Sequence, residues 1–409
     1  MNDEFYMQRC LELAKLGAGY VAPNPMVGAV LVHDERIIGE GWHKKYGEAH
    51  AEVNGIGQAV QNGLTDKLHQ STMYVSLEPC AHFGKTPPCT DLIIQHKIPK
   101  VVIGCSDLFA EVNGKGIEKL KAAGVNVNLT SMEMETECKE LNKRFFTFYT
   151  QHRPYIILKW AQTGDGKIAA SPELRSQPSP NPVASEGGIL NSDNSNTHKS
   201  KTAHELSGTK ASPSEEFGEA SPSEGRETRL LISNEYSNRL VHQWRSEEAA
   251  ILIGTNTAML DNPELTTRLW PGPSPVRIVV DRNLKLPAGL KIFNQQARTI
   301  IFNTVKQEED RNVLYYQLKN DTNLIPEMMN ALYQLKIQSV LVEGGAKLLQ
   351  SFIDEGIWDE ARIITNEKLT LRQGSVNNGL GAPVLEKAEK IFEQKLISDT
   401  IEIYKPEHS

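Results

Sequence analysis

The strongest constraint on how this 409-residue chain can fold is a set of three side chains, distant in sequence, that suit one metal ion. His50 opens the triplet His50-Ala51-Glu52, Cys80 closes Glu78-Pro79-Cys80, and Cys89 follows Pro87-Pro88. One imidazole and two thiolates make a shell for zinc and leave the fourth tetrahedral position for water. Zinc lowers the pKa of that water, so hydroxide is available near neutral pH. Glu52, two residues past the histidine, is placed to take the water's proton and return it to a ring nitrogen and a leaving amine. The flanking sequence agrees. Met73 to Leu77 predicts a strand with Cys80 beyond its end, and Pro87-Pro88 ahead of Leu92 and Ile93 predicts a helix that Cys89 opens. A helix N-terminus favours a thiolate. A single Cys in an apolar run is ordinarily structural, and Cys10, Cys105 and Cys138 are read that way; the specificity lies in the combination.

Around this set the chain alternates helical and strand patterns. Up to about residue 150 it predicts helices over Glu4–Leu16, Ala51–Val60, Asp91–His96 and Gly116–Ala123, and a long closing helix over Glu133–Phe146. Strands are predicted over Val27–Val32, Met73–Leu77, Lys100–Gly104 and Val125–Leu129. From residue 151 a second alternating segment begins. Its strands are Tyr155–Trp160, Ala249–Ile253, Val276–Val280, Thr299–Phe302, Ser339–Val342 and Ala361–Ile364, with helices over Glu235–Arg245, Pro326–Leu335 and Ala346–Asp354. The expectation is an α/β protein of two domains, 1–150 and 151–409. Residues 171–228, rich in Ser, Pro, Glu, Asn and Gly, have too few large apolar side chains to offset their ordering entropy, and are read as a disordered insertion in the second domain.

A net charge of −7 gives no basic excess to neutralise a phosphate backbone, so nucleic acid is not expected as a partner, although a local cluster of basic groups can hold a small phosphorylated molecule. No apolar run reaches the length of a membrane span, and the acidic start Met1-Asn2-Asp3-Glu4 is unlike a signal peptide. Five cysteines are too few, and odd in number, for a disulfide framework; a reducing cytoplasm is expected.

His-x-Glu followed by Pro-Cys and a second Cys is the pattern of zinc deaminases acting on bases and nucleosides, with the Glu outside the metal shell. Here eight residues, Ala81 to Pro88, separate the two cysteines, where nucleic-acid and nucleoside deaminases have C-x-x-C. The run from Glu78 to Cys89, with Pro23-Asn24-Pro25, Val27-Gly28, Gly41-Trp42-His43 and Gly47-Glu48, resembles the deaminase domain of the bifunctional riboflavin-biosynthesis deaminase/reductases. The resemblance covers nearly the whole chain outside the insertion. It implies a cytidine-deaminase-like three-layer front domain and a substrate that is a diaminopyrimidinone carrying a phosphoribosylamino group. Substrate contacts are implied at Asn24, His43, His82, Lys85 and Asp107. An Asn can read a pyrimidine edge with donor and acceptor, and Lys and His can serve a phosphate. The family often has Asp-Pro-Asn-Pro where this chain has Asp107-Leu108-Phe109-Ala110, so a polar contact is lacking at Phe109, unless a neighbour such as Asn113 replaces it.

Behind it, Lys159 to Ala169, Asp261 to Arg268, and Val340 to Ala346 resemble the family's reductase domain, an α/β domain similar to dihydrofolate reductase. Glu343-Gly344-Gly345 runs from a strand through glycines into a helix, a connection that permits close backbone approach and attracts phosphate but is often only a tight turn. No G-x-G-x-x-G follows a strand, so a Rossmann domain is not expected. The resemblance implies NADPH against Gln162, Thr257, Asp261, Gly344 and Gly345, and the ribose phosphate and sugar against Arg245, Leu265, Arg268 and Glu343. Two arginines suit a phosphate because their guanidinium forks bind its oxygens bidentately. A homodimer through the rear domain is also implied. The family's Ser-x-Trp is absent at Leu231. Two other readings compete: a zinc deaminase of another pyrimidine or nucleoside with a non-catalytic rear domain, and a regulatory or scaffold protein descended from such an enzyme.

Overall fold

The structure, a computed structural model, describes residues 3–83, 87–107, 114–170, 232–319, 323–373, 376–377 and 379–407. The stretch 171–228 lies outside the described residues, as do Lys85, Phe109, Asn113 and Leu231.

In chain order the front part comprises α1 (Asp3–Lys15), β1 (Gly28–His33), β2 (Arg36–Trp42), α2 (Ala51–Gln61), β3 (Thr72–Leu77), α3 (Cys89–Gln95), β4 (Lys100–Cys105), α4 (Lys115–Ala122), β5 (Asn126–Leu129), α5 (Met132–Leu141) and α6 (Lys143–Gln151). Its sheet has the order β2-β1-β3-β4-β5, with β1 antiparallel to both neighbours and β3, β4 and β5 parallel. Alternate side chains of the strands enter two separate cores, as the period of two requires. Leu31, Val75 and Ile103 pack with Ala51, Ile56 and Ile93 of α2 and α3, whereas Val30, Tyr74 and Val102 pack with Met7, Cys138 and Phe146 of α1, α5 and α6. The result is the expected three-layer arrangement, with strands apolar on both faces.

Strand β2 escaped the sequence reading because Gly39 and Gly41 interrupt its pattern. Those glycines have a packing reason. A Cβ on Gly39 would lie 2.3 Å from the carbonyl oxygen of Gly55, and one on Gly41 would lie 2.3 Å from that of Ala51. Helix α2 therefore rests directly on the β2 backbone, which sets where His50 and Glu52 stand. The expected single closing helix is instead two helices, broken at Asn142. The Asn142 Oδ1 accepts the Met26 N–H at 2.8 Å and its Nδ2 donates to the Met26 carbonyl at 2.9 Å. This tertiary tie outweighs the local helical pattern and anchors the loop that carries Asn24.

The rear part continues with β6 (Tyr155–Thr163), β7 (Lys167–Ala170), α7 (Glu235–Glu247), β8 (Ala250–Gly254), α8 (Thr255–Asp261), β9 (Val276–Val280), β10 (Thr299–Asn303), β11 (Glu308–Asp310), β12 (Val313–Gln317), α9 (Leu324–Gln334), β13 (Ser339–Val342), α10 (Ala346–Asp354), β14 (Glu360–Asn366), the short β15 (Arg372–Gln373), β16 (Val376–Asn377) and β17 (Gly379–Gly381), then β18 (Ala388–Leu396) and β19 (Asp399–Pro406). Ten strands form one sheet in the order β11-β12-β10-β9-β8-β13-β6-β14-β19-β18, parallel from β12 to β14 and antiparallel at its edges. Val340 and Val342 face a core shared with α9 and α10, while Leu341 faces Val241 and Trp244 of α7. The two outermost strands at each end, β11 and β12, and β19 and β18, are not signalled in the sequence. Most residues of β18 are exposed, so it has no apolar stripe to read.

The two parts touch through polar contacts. Lys143 pairs with Glu360 at 2.8 Å, Arg144 pairs with the buried Glu248, and Gln338 Nε2 donates to the Pro23 carbonyl at 2.7 Å.

Candidate active sites

In the front part, β3, the N-terminus of α2 and the N-terminus of α3 bring the three expected ligands together. His50 Nδ1 lies 3.7 Å from Cys80 Sγ and 3.4 Å from Cys89 Sγ, and all three ligand atoms lie within 4.8 Å of one another. Tetrahedral zinc with ordinary Zn–N and Zn–S lengths needs N···S separations of about 3.5 Å, so the residues fit the ion. Hydrogen bonding with Cys89 lowers the Cys80 pKa, while that same contact and burial push Cys89 up. The Cys80 sulfur also accepts the Cys89 backbone N–H at 3.3 Å. Glu52, in the first turn of α2, is buried beside Cys89, and burial raises its pKa above the usual carboxylate range.

A cavity of about 260 Å³ adjoins this cluster and is lined among others by Asn24, His43, Glu52, His82, Asp107 and Tyr149. Four of the expected substrate residues thus share one cavity with the expected zinc ligands His50 and Cys80. His43 is 2% exposed and neutral, its pKa lowered by burial. Its Nδ1 is 3.1 Å from the Ala49 carbonyl, which can only accept, so Nε2 accepts from Asn24 Nδ2 at 3.1 Å. Asn24 is therefore oriented by His43, with its side-chain oxygen left over for a ligand. His82 is exposed at the rim.

Sequence reasoning quoted Glu78 but gave it no role. Among the described residues its buried carboxylate accepts four backbone N–H groups: Asp107 at 3.2 Å and Gly114 at 3.1 Å on Oε2, Gly116 at 2.9 Å and Ile117 at 3.2 Å on Oε1. Such a carboxylate fixes Asp107 and the start of α4 against the metal cluster. No local pattern signals this, because the donors are 29 to 39 residues away.

In the rear part the expected residues collect at the carboxyl ends of the adjacent parallel strands β8, β13, β6 and β14, where open α/β sheets place ligands. Gln162 bridges Trp160 Nε1 at 2.9 Å and Thr365 Oγ1 at 3.1 Å. Thr257 Oγ1 accepts the Gly345 N–H at 3.0 Å, joining α8 to the start of α10. A Cβ on Gly344 would come within 3.2 Å of the Leu348 side chain and 3.5 Å of the Gly254 nitrogen, so the backbone here lies beside the end of β8. Asp261 ends α8.

Arg245 and Glu343 meet in a bidentate pair, with Nε to Oε1 at 2.9 Å and Nη2 to Oε2 at 2.7 Å. Lys159 approaches the same carboxylate at 3.9 Å. Burial opposes the charge on Glu343, but Arg245 and Lys159 outweigh it and hold its pKa at about 2. Arg268 is more exposed and pairs with Glu264 at 3.2 Å. The Leu265 side chain packs into a core with Ile253, Ala258 and Val279, so only its backbone, in the left-handed region at φ 54°, is left to meet a ligand. Lys159 and His242 belong to this cluster and were assigned no role from sequence. The available signal was spacing: His242 and Arg245 are three apart on one helix and share a face.

Comparison with known proteins matches these two sites. Residues 1–105 match the cytidine and deoxycytidylate deaminase zinc-binding region, and residues 218–370 match the RibD C-terminal domain. The fold and sites therefore define a zinc-dependent deaminase joined to a dihydrofolate-reductase-like reductase that takes a nicotinamide cofactor. Riboflavin biosynthesis protein RibD of Aquifex aeolicus is 35% identical over 401 residues, covering 96% of this chain and 95% of its own. A Buchnera aphidicola diaminohydroxyphosphoribosylamino-pyrimidine deaminase is 48% identical over 146 residues, which is 36% of this chain but 95% of that protein. The crystal structure of a Thermotoga maritima diaminohydroxyphosphoribosylaminopyrimidine deaminase/5-amino-6-(5-phosphoribosylamino)uracil reductase matches with a TM-score of 0.75 and 31% identity, covering 99% of this chain and 98% of its own. The chain belongs to the RibD family of riboflavin biosynthesis proteins, bifunctional enzymes that combine a hydrolytic deaminase with a reductase. They act on small pyrimidines. No helix among the described residues is long and apolar enough to cross a membrane.

Proposed function

We propose that the chain deaminates 2,5-diamino-6-(5-phosphoribosylamino)pyrimidin-4(3H)-one and then reduces its ribosyl group to ribityl with NADPH. The observation that carries the first step is the His50, Cys80, Cys89 triangle with Glu52 buried against it. Zinc held there supplies the acidity that makes water a nucleophile near neutral pH. Glu52 takes a proton from the attacking water and delivers it to the ring nitrogen and the departing ammonia, so that a C–NH2 becomes a carbonyl. Asn24, oriented by His43, reads the pyrimidine edge; His82 and Lys85 would serve the phosphate, and Asp107 would be a further substrate contact. For the second step bound NADPH would be the source of hydride for C1 of the opened ribose, with a solvent-derived proton going to the attached nitrogen. Gln162, Thr257, Asp261, Gly344 and Gly345 would hold the cofactor. Arg245, Arg268, Glu343 and the Leu265 backbone would hold the sugar phosphate.

The division into a deaminase domain over 1–150 and a reductase domain over 151–409 is supported by the two separate sheets. We place the enzyme in the cytoplasm, where five free cysteines remain reduced. We also propose a homodimer through the reductase domain. The edge strand β18, with Ile391 and Phe392 each more than two-fifths exposed, is a surface that a second copy could cover.

The test supplies the diaminopyrimidinone substrate and NADPH to the zinc-loaded protein and follows ammonia release together with nicotinamide absorbance. Ammonia followed by NADPH loss is the expected result. Ammonia without NADPH loss would leave only the deaminase, and no ammonia would overturn the reading.

A further inference from the structure

The loop 264–269, which carries Arg268, is held to α7 by one imidazole. His242 is 5% exposed; its Nδ1 accepts the backbone N–H of Arg268 at 3.0 Å and, more weakly, that of Leu269 at 3.5 Å. A ring that accepts at Nδ1 carries its proton on Nε2. The loop needs such an anchor. Its approach and its body contain two non-glycine residues in the left-handed region, Asn262 at φ 38° and Leu265 at φ 54°, and a leucine resists that conformation. Its other ties hold its first half: the Leu265 side chain in the core with Ile253, Ala258 and Val279, Glu264 paired with Lys291 at 3.0 Å, the Thr267 N–H on Ser274 Oγ at 3.1 Å and Arg245 Nη1 on the Thr266 carbonyl at 3.5 Å, whereas the Arg268 amide itself is held by His242. The charged groups facing the ring are Arg245 on α7, Arg268 on the loop, Lys159 on β6 and Glu343 after β13. Burial first, and then three cations against one carboxylate, favour the neutral ring that the hydrogen bonds require.

We propose that His242 is a positioning residue of the reductase: by accepting the Arg268 and Leu269 amides at Nδ1 it fixes where the Arg268 side chain starts, so that Arg268 and Arg245 can close on one sugar phosphate. The proposal rests on the reading of those two arginines as the phosphate-binding pair. It assigns His242 an effect on substrate binding and none on hydride transfer itself.

The experiment compares His242→Asn with His242→Gln in the full-length, zinc-loaded protein. The Asn Oδ1 falls where Nδ1 stands and can accept the same amides, whereas the Gln oxygen reaches past them toward the place of Nε2. In His242→Gln, the KM for the deaminated substrate should rise about tenfold or more, with kcat within about threefold. His242→Asn should stay within about threefold of the parent in both. Deaminase rates, measured on the same samples, should be unchanged and report intact folding. Tryptic cleavage after Arg268, followed by mass spectrometry without any substrate, should quicken in His242→Gln and not in His242→Asn. Equal behaviour of the two variants would overturn the proposal, as would faster cleavage with an unchanged KM. If the parent protein reduces nothing, the functional reading fails, and the cleavage comparison alone then decides whether His242 clamps the loop.

Discussion

The two sites handle charge in opposite ways. In the front site the ligand atoms already stand at zinc-binding separations, and the neutral His43 and Asn24 orient each other beside them. Beside them Glu52, the proposed proton carrier, is buried and its pKa is raised chiefly by that burial. In the rear site the charged residues satisfy one another: Arg245 grips Glu343, Arg268 leans on Glu264, and Lys159 adds to the same carboxylate. The front site thus holds its three ligand atoms at the separations that one zinc ion needs. The rear site is a closed ion network, and on the proposed reading a phosphate would enter it by competing with Glu343 and Glu264. The difference follows from the chemistry. Zinc sits in a fixed shell of close ligands, whereas a phosphate is met by long, mobile cationic side chains that would repel each other if left unpaired.

This contrast can be broken at four points. The largest effect is expected from Glu52→Gln, which leaves the zinc ligands intact but removes the proton carrier. Deamination should fall by about 10²–10⁴-fold with zinc content unchanged, while reduction of already deaminated substrate continues at the parental rate. Parallel ammonia, zinc and NADPH measurements check it, and a loss of reduction would show that the two sites are not independent. Next is Arg245→Met. It strands the Glu343 carboxylate in a partly buried site and should cost the rear domain about 3 kcal/mol, seen as a lower thermal transition with the deaminase intact. An unchanged transition would mean that the pair contributes little to the fold.

Glu78→Gln comes third. The amide can accept two of the four backbone N–H groups, but its NH2 would face the other two donors. A cost of about 2–3 kcal/mol is expected, with a raised deaminase KM and retained zinc. Loss of zinc would place Glu78 in metal assembly instead. The smallest effect is on pH dependence. His242 is held at about 4, chiefly by burial and then by Arg245 and Arg268. Between the ordinary histidine pKa and about 4, the unfolded chain takes up a proton that the folded chain refuses, so stability of the rear domain falls as pH falls through that window. Glu343 works lower down: its depressed pKa contributes stability above the ordinary carboxylate range, and this is lost as pH falls toward about 2. Denaturation midpoints measured from pH 7 to pH 4 for the parent and His242→Asn should differ in slope; equal slopes would remove His242 as the source.

Much of the front site could be read directly from the chain. His50, Glu52, Cys80 and Cys89 were recognisable because metal chemistry restricts residue type and because the helix starts and strand end around them have local signals. The apolar strands of both sheets were equally legible, since burial on two faces leaves continuous hydrophobic runs. Strand β2 was not, because its glycines answer to helix α2 rather than to a strand pattern. The break at Asn142 and the clamp at Glu78 were hidden for a related reason: their partners lie 116 residues and 29 to 39 residues away.

What the sequence determined by itself was therefore the chemistry of the metal set, the α/β class and the order of the two units, because residue type and short-range periodicity carry that information. What only the tertiary structure decided was which polar groups are spoken for. Arg245 is paired with Glu343, the Leu265 side chain belongs to a core, and the Arg268 backbone hangs on His242. Those facts depend on long-range hydrogen bonds and on burial, which arise only when strands β8, β13 and β6 lie side by side.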